Sequence, residues 1–365
     1  MRIAVLAPLV SPIAEPHIGG AQVLLSDLAV GLAGHGHEVR VYAATGSHID
    51  GVDVVDTGVD AASLRATLFR ADGAHADSSS TAATEAFRAA AGMIAGDAPD
   101  VVHAHAFDAP SVEAVASLGI PWIQVLHLPP DAAVAGAVGR AVAGGGPLAV
   151  VTVSEAMRWA WAAAGVGARV IRPGVPVERI PWRAESNPGV LFAGRLSPEK
   201  GALDAIAIAT GAGMPLTIVG YPYDDEHAAE VRRQAAEAGA AVLRPVPRER
   251  LWHRMAGAAA VLCPVRWDEP FGLVAAEAQS AGTPVVGYRR GALPEVVRDG
   301  VSGVLVEPGD WRAAARALPD AVRLDRAAIR RHAEERLGLG PAVAAYEAVS
   351  LELTRASAAP RTPVR

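Results

Sequence analysis

A short stretch around residue 270 constrains the fold of this chain more than any other part. The apolar run at 256–263 predicts a single buried strand, because it is too short for a typical buried helix. Pro270 and Gly272 then interrupt the chain, and helix-forming residues follow at helical spacing over 273–281. Strand, tight loop and helix in this order are typical of a parallel sheet whose strands are joined by helices.

The loop at residue 272 has the features of an anion site. A helix that starts at Gly272 directs unpaired N–H groups and a positive dipole end into the loop. A phosphate is the usual ligand of such a helix start, and glycine lets it approach the backbone closely. The loop therefore predicts contact with a phosphate group.

Two carboxylates bracket this loop. Glu269 precedes the turn, and Glu277 lies within the helix, on the same face as Leu273. An ionised carboxylate can accept hydrogen bonds from both hydroxyls of a vicinal diol. One carboxylate for a sugar and one for a ribose, with amides between them for phosphates, would hold a nucleotide sugar. A buried helix with a solvated glutamate at each end is the alternative, and the glycine- and proline-containing segments at 282–284 and 291–295 favour the site.

Residues 269–277, Glu-Pro-Phe-Gly-Leu-Val-Ala-Ala-Glu, followed by Gly-Thr-Pro-Val-Val at 282–286 and Pro-Glu at 294–295, resemble the donor site of family 4 retaining glycosyltransferases. That family has the two-domain GT-B fold. The resemblance implies that Glu269 holds hydroxyls of the donor sugar and that Glu277 binds the ribose. It also implies that the backbone at Phe271, Gly272 and Leu273 meets the sugar or the diphosphate.

A second motif lies at 194–201, Gly-Arg-Leu-Ser-Pro-Glu-Lys-Gly. Arg195 and Lys200 would follow a strand and precede a helix, where two cations suit a diphosphate and the charge that develops as it leaves. A surface turn with solvated charges is the alternative for an isolated pair. The spacing resembles the diphosphate clamp of the same family, which favours a functional role. Lys200 is also the single lysine in a chain with 32 arginines, and an ammonium suits a phosphate differently from a guanidinium.

The N-terminal half supplies further candidates. Gly19 and Gly20 open a helix after the first strand, and the resemblance implies that they lie beside the donor phosphate. The loop lacks a G-x-G-x-x-G fingerprint, so a nicotinamide cofactor is not expected. His127 follows the strand at 120–126, and the resemblance places it near the transferred sugar. His103 and His105 favour structural roles.

Neither a metal nor a resident cofactor is predicted. The H-x-H pair at 103–105 has no third ligand at convincing spacing. No D-x-D triplet occurs in the chain, which agrees with a metal-independent donor site. The nucleotide sugar is a substrate, so we expect no cofactor.

The chain is long enough for two domains. The sequence predicts an α/β protein of the GT-B type, with two facing Rossmann-like domains, each a doubly wound parallel sheet, and a cleft between them. Residues 1–168 form the acceptor-binding domain and 169–340 the nucleotide-sugar-binding domain. A break at 338–341 precedes an amphipathic helix at 341–356 that packs back on the first domain, and 357–365 is a disordered tail.

Charge and composition limit the partners. Residues 1–168 contain 7 arginines and 16 acidic residues, whereas 169–365 contain 26 basic and 23 acidic residues. An acidic first half is a poor surface for nucleic acid or anionic lipid. It favours a small, neutral or cationic acceptor, such as an aminocyclitol. We find no membrane-spanning run and no signal-peptide core, and the single cysteine, Cys263, rules out an internal disulfide, so a cytoplasmic location is expected.

The sequence thus predicts transfer of a sugar, of the hexosyl type, from a nucleotide-sugar donor to a small-molecule acceptor. Retention of anomeric configuration and metal independence follow from the resemblance, and a UDP-sugar is favoured over a GDP-sugar. Two alternatives stay open. One is a sugar-nucleotide epimerase or a phosphorylase on the same fold, and the other is a non-catalytic sugar-nucleotide-binding protein. The oligomeric state is not indicated.

Overall fold

Residues 1–67 and 81–358 are described by a computed structural model of the chain. The chain divides into two compact units. The first unit comprises Met1–Ala14, Ala21–Arg172 and the chain from Gly340, and the second comprises Glu15–Gly20 and Pro173–Leu339. The first unit therefore extends four residues beyond the predicted boundary at 168. The second unit also takes in the loop segment that leads to Gly20.

Strands and helices alternate through most of both units. The strands are β1 Arg2–Leu6, β2 Glu38–Ala43, β3 Asp53–Asp56, β4 Val101–Ala104, β5 Trp122–Leu126, β6 Leu148–Thr152, β7 Arg169–Val170, β8 Val190–Leu196, β9 Leu216–Pro222, β10 Ala241–Leu243, β11 Val261–Cys263, β12 Val285–Tyr288 and β13 Gly303–Val306. The helices are α1 Gly20–Gly34, α2 Thr81–Asp97, α3 Ala109–Ala116, α4 Ala132–Ala143, α5 Glu155–Ala163, α6 Ala202–Gly211, α7 Asp225–Glu237, α8 Arg248–Gly257, α9 Leu273–Ser280, α10 Leu293–Val296, α11 Trp311–Ala321, α12 Arg326–Arg336 and α13 Leu339–Ala358.

Each unit contains one doubly wound parallel sheet. The strand order is β3-β2-β1-β4-β5-β6-β7 in the first unit and β10-β9-β8-β11-β12-β13 in the second. The pairings are parallel throughout. The order reverses between β1 and β4 and between β8 and β11, and in open sheets ligands bind at the strand C-ends beside such a reversal. The predicted α/β class with two doubly wound sheets is confirmed.

Buried aliphatic strands explain why helices must cover both sheet faces. In the second unit, Phe192, Ile218, Leu262 and Val286 lie in one apolar cluster with residues of α6, α7 and α11. Strands that are buried on both faces read as continuous apolar runs. This core fixes the C-ends of β8 and β11, from which the candidate site is built.

Two predicted element boundaries were wrong. The strand predicted at 256–263 begins only at Val261, because Ala256 and Gly257 end α8. The helix predicted at 341–356 is α13, which begins at Leu339 and therefore includes residues 339–341 of the predicted break. Pro341 is tolerated because it lies in the first turn, where its missing N–H has no intrahelical acceptor.

The end of α13 also differs from the prediction. The helix continues through Ala358, so the first two residues of the predicted tail at 357–365 are helical, and 359–365 lie outside the described residues. Between Pro341 and Pro360 the sequence contains no proline or glycine that would end the helix earlier.

The C-terminal helix α13 belongs to the first unit. Glu347 accepts hydrogen bonds from His35 Nδ1 and His37 Nε2, each at 3.1 Å. Arg169 on β7 makes two hydrogen bonds with Glu352, at 2.6 and 2.8 Å. These contacts join α13 to the turn between α1 and β2 and to the edge strand β7. Within the described ranges, we find no helix with the length and apolar character needed to span a membrane.

Candidate active site

The loop between β11 and α9 is shaped by a glycine at the helix start. Gly272 has φ of 97° and caps α9, which follows at Leu273 as predicted. A Cβ at this position would lie 2.8 Å from Leu293 Cδ2, so a side chain there would require Leu293 to shift in addition to a left-handed backbone conformation. No side chain of the described residues caps the start of α9, so its first-turn amides are available for an acceptor. The side chain of Phe271, directly before Gly272, is buried.

A second glycine holds the loop from the other side. Gly291 has φ of 56°, and a Cβ there would lie 2.3 Å from the backbone nitrogen of Glu269. The backbone N–H of Ala292 donates to the carbonyl of Glu269 at 2.8 Å. The position of Glu269 therefore depends on close backbone packing against the segment at 291–292.

Glu269 and Lys200 lie in direct contact. The Lys200 Nζ donates to Oε2 of Glu269 at 2.6 Å, across 69 residues of sequence. The indole Nε1 of Trp267 donates to the same oxygen at 2.7 Å, and its ring centroid lies 4.6 Å from the Lys200 Nζ. A cation, an aromatic ring and a carboxylate thus form one cluster, in which the charged side chains are mostly buried.

The turn that carries Lys200 is fixed by Gly201. Lys200 ends a single 3₁₀ turn, Pro198–Lys200, and Gly201 follows with φ of 75°. A Cβ on Gly201 would lie 2.0 Å from the carbonyl oxygen of Pro264. The loop after β8 therefore presses against the loop after β11, which places Lys200 beside Glu269.

Arg195 lies near this cluster in sequence but has a different partner. Its Nη2 donates to Glu199 Oε1 at 2.8 Å, and Ser197 Oγ donates to the same oxygen at 2.6 Å. The Arg195 guanidinium also lies 4.5 Å from the ring centroid of Tyr223. The backbone N–H of Arg266 donates to the Glu199 carbonyl, so this buried acid also holds the loop after β11. No local sequence pattern predicted a role for Glu199.

Glu277 accepts hydrogen bonds from two side chains for which no sequence pattern predicted a role. Arg248 Nε and Trp252 Nε1 both donate to its Oε1, at 2.5 and 3.0 Å. Arg248 begins α8, and its backbone N–H donates to Glu15 Oε2 at 3.1 Å. The carboxylate, the guanidinium and the indole are all buried or nearly so. In the described part of the chain, no hydrogen bond reaches Oε2 of Glu277.

Gly19 and Gly20 lie in the segment that groups with the second unit. A Cβ on Gly20 would lie 3.1 Å from Leu273 Cδ1, whereas one on Gly19 would have no atom within 4 Å. Gly20 is therefore brought to the start of α9. His17, in the same segment, has its pKa lowered, first by burial and also by the charge of Arg248.

His127 lies in the first unit, directly after β5. It is 5% exposed, and its Nε2 lies 3.0 Å from Nδ1 of His105. His103, on β4, is hydrogen-bonded to Ser350 Oγ at 2.8 Å. Residues that line a small pocket beside His127 include Phe107, Gln124, Leu128, Asp131, Val134 and Trp161. His105 was expected to have a structural role, and in the structure it contacts His127.

Burial keeps these histidines uncharged. It lowers the pKa of His127 to about 4 and that of His103 to about 3, and it lowers the pKa of His105 strongly. A neutral His127 can donate one hydrogen bond and accept another, but it cannot supply a positive charge.

Acidification should therefore destabilise the first unit. The folded-state pKa values lie below the ordinary value near 6.5, so the unfolded chain binds more protons as the pH falls from 6.5 toward about 4 for His127 and about 3 for His103. The stability present above pH 6.5 is lost over that range. We expect the thermal midpoint to fall between pH 7 and pH 5, and to fall less in His103→Gln. His48→Gln is the matched control, because His48 is exposed. An equal effect of the two substitutions on this pH dependence would contradict burial as the cause.

Among the described residues, no group of three or more His, Cys, Asp or Glu side chains is arranged to hold a metal ion. Asp224, in the acidic run at 224–226, caps α7 by accepting from the N–H of His227 at 2.8 Å. In the H-x-H pair, His103 is hydrogen-bonded to Ser350 and His105 to His127.

Both halves of the chain match glycosyltransferase families. Residues 178–336 match the family described as Glycosyl transferases group 1, and residues 18–179 match Glycosyltransferase Family 4. A D-inositol 3-phosphate glycosyltransferase from Nocardioides sp. is 31% identical over 377 aligned positions, which cover 87% of this chain and 82% of that protein. One from Nocardia farcinica is 31% identical, with 90% and 84% covered.

The chain belongs to glycosyltransferase family 4. It is a glycosyltransferase with the GT-B fold, as the donor-site resemblance implied. AviGT4, a glycosyltransferase of avilamycin A biosynthesis, superposes with a TM-score of 0.70 at 24% identity, covering 97% of this chain and 98% of that one. Anabaena HepE, in complex with UDP and glucose, gives a TM-score of 0.71 at 19% identity, covering 99% and 100%.

Proposed function

We propose that this glycosyltransferase moves a hexosyl group from a nucleotide-sugar donor, a UDP-sugar in preference to a GDP-sugar, to a small-molecule acceptor. The observation that carries the proposal is the arrangement of Glu269 and Glu277. Each carboxylate is held at one oxygen by a cation and an indole N–H, and each has its other oxygen unbonded among the described residues. An oxygen left in this way can accept a hydroxyl of a sugar or of a ribose.

In the proposed reaction, the second unit binds the donor. Glu269 accepts sugar hydroxyls, Glu277 accepts ribose hydroxyls, and the amides of Gly272 and Leu273 meet the diphosphate. Lys200 neutralises charge on the departing diphosphate. Arg195 contributes to this neutralisation once part of its hydrogen bonding has moved from Glu199 to the diphosphate. Anomeric configuration is retained, and neither a metal nor a resident cofactor takes part. In the first unit, His127 contributes a neutral imidazole to the sugar.

The HepE complex contains UDP and glucose, and we extend the choice of UDP from that protein to this chain as part of the proposal. A thermal-shift screen with UDP, GDP, ADP and dTDP, and then with their sugars, tests it. A ligand present at 100 times its Kd should add about 2.7 kcal/mol of stability. We expect a shift with UDP that is unchanged by chelator. No shift with any nucleotide would remove the proposal and leave the family assignment intact.

Retention is tested separately from donor binding. Product formed from an α-linked glucosyl donor is expected to give the small anomeric proton coupling of an α-glycoside in its NMR spectrum. A β-linked product would contradict retention and leave the donor proposal standing.

We further propose a neutral or cationic acceptor. Six arginines of the first unit already pair with carboxylates of the same unit: Arg2, Arg40, Arg140, Arg158, Arg169 and Arg172. Their charge is therefore compensated before an acceptor binds. The curated relatives are named for an acceptor that carries a phosphate. Comparison of an aminocyclitol, inositol and inositol 3-phosphate as acceptors decides between these classes, and preference for the phosphate would overturn ours.

Neither an epimerase nor a non-catalytic sugar-nucleotide-binding protein is favoured, because the matching families and relatives are glycosyltransferases. The cytoplasmic location expected from composition stays a prediction.

A further inference from the structure

We infer that Trp267 is a specificity-determining residue, which positions the Glu269 carboxylate so that it contacts the donor sugar through a single oxygen. This inference rests on the proposed function, in which Glu269 accepts sugar hydroxyls. Trp267 lies two residues before Glu269, in the loop after β11. No sequence motif predicted a role for Trp267.

The hydrogen-bonding capacity of Glu269 supports the inference. An ionised carboxylate has about four acceptor positions, two on each oxygen. The Lys200 Nζ and the Trp267 Nε1 fill Oε2 at 2.6 and 2.7 Å. Within the described residues, no hydrogen bond reaches Oε1. The sugar therefore meets one oxygen, in an orientation set by two donors, rather than a carboxylate that is free to rotate.

The contribution of Trp267 differs from that of Lys200. The ammonium can approach a carboxylate from many directions on its flexible stem, whereas the indole N–H points along a fixed direction in the ring plane. The same ring lies 4.6 Å from the ammonium, so it limits where Lys200 can sit. Trp267 thus orients both charged partners, while Lys200 supplies the charge.

The second carboxylate repeats the arrangement. Arg248 and Trp252 fill Oε1 of Glu277 and leave Oε2 without a hydrogen bond in the described part of the chain. Two sites with the same pattern indicate that a single available oxygen is a feature of how this unit presents carboxylates. Trp252 is 2% exposed and serves the core as well, so Trp267 is the better position to test.

A fixed oxygen discriminates between epimers at the hydroxyl that it accepts, because the wrong epimer leaves a polar group unpaired. If the carboxylate can rotate, it follows the hydroxyl and the discrimination falls. Removal of the indole N–H should therefore lower selectivity between donor sugars more than it lowers affinity for the nucleotide.

Trp267→Phe is the test, since it keeps a ring beside Lys200 and removes the N–H. We expect the ratio of kcat/KM for UDP-glucose and UDP-galactose to fall by about tenfold, the value of one hydrogen bond to a charged group. The Kd for UDP should be unchanged. Trp159→Phe is the matched control, because Trp159 is exposed and has the Arg158 guanidinium 4.3 Å from its ring centroid, outside the site.

Coupling to Glu269 distinguishes positioning from a general structural effect. In a Glu269→Ala background, Trp267→Phe should cause no further change in the ratio of kcat/KM for the two donor sugars, because the carboxylate that Trp267 positions is absent. Unchanged selectivity in Trp267→Phe, or an equal effect in both backgrounds, would overturn the inference. In contrast, an absence of donor binding by the wild-type protein would count against the proposed function.

A spectroscopic measurement covers the case in which Trp267→Phe fails to fold. The indole N–H resonance of Trp267 is expected to move in Glu269→Gln, because a charge-assisted hydrogen bond becomes a neutral one. It can be assigned by elimination from the other six tryptophans, each replaced in turn. A resonance that does not move would overturn the inference.

Discussion

Replacement of Lys200 by alanine should lower kcat/KM by about 100-fold, which corresponds to about 3 kcal/mol of lost transition-state stabilisation. The Lys200 Nζ contacts Glu269 Oε2 at 2.6 Å, so the substitution removes a cation and also leaves a mostly buried carboxylate without its counter-charge. Both effects act at the position where the leaving diphosphate and the sugar are proposed to meet. Steady-state kinetics with the preferred UDP-sugar measure the loss.

Lys200→Arg should not restore activity, although the chain uses arginine almost everywhere else. The ammonium lies between the Glu269 carboxylate and the Trp267 ring, and a planar guanidinium has a different length and a fixed fork of donors. Arg233→Ala is the control for general loss of charge, because Arg233 pairs with Glu230 and Glu237 on an exposed helix face. Activity of Lys200→Ala within threefold of wild type, or full activity of Lys200→Arg, would contradict a specific role for the ammonium.

Local patterns predicted the backbone frame of the donor site. Pro270 and Gly272 end one element and begin another, and α9 starts at Leu273 because the glycine can adopt the left-handed conformation that a side chain disfavours. The strand before this loop was harder to place. The run at 256–263 is apolar throughout, but its first two residues end α8, and periodicity cannot separate a buried helix end from a buried strand.

Local sequence patterns could not predict the hydrogen-bond partners of the site residues, because these partners come from distant parts of the chain. Arg248 and Trp252 reach Glu277 across 29 and 25 residues, from a helix that looks like an ordinary polar surface helix in sequence. Lys200 reaches Glu269 across 69 residues. Only the packing of the sheet brings them together.

The sequence motif identified Arg195 itself but not the residue that compensates its charge. Its motif predicted an available cation, but the Glu199 carboxylate, four residues on, is buried beside it and compensates its charge. A glutamate next to a lysine in a turn gives no local signal of burial, since charged residues in turns are usually solvated. The role of Arg195 toward a phosphate therefore depends on how far it can leave Glu199.

Gly291→Ala should damage the donor site more than the removal of most side chains would. A Cβ there would lie 2.3 Å from the nitrogen and 2.5 Å from the oxygen of Glu269, and the residue has a φ of 56°. Backbone atoms cannot move aside as a flexible side chain can, so the loop that carries Glu269 must shift. We expect a loss of about 3 kcal/mol or more from strain and overpacking, which would lower the thermal midpoint of the second unit by about 10 °C.

Gly300→Ala separates backbone conformation from steric contact. Gly300 has a φ of 73°, similar to that of Gly291, but a Cβ there would have no atom within 4 Å. It should therefore cost only the left-handed conformation, about 1 kcal/mol, and lower the midpoint by about 3 °C with donor kinetics unchanged. Gly291→Ala should also raise the KM for the nucleotide sugar, because Glu269 moves with the loop. If the two substitutions had equal effects on stability and on KM, contact with Glu269 would not be the reason for glycine at 291, and conformational freedom alone would explain it.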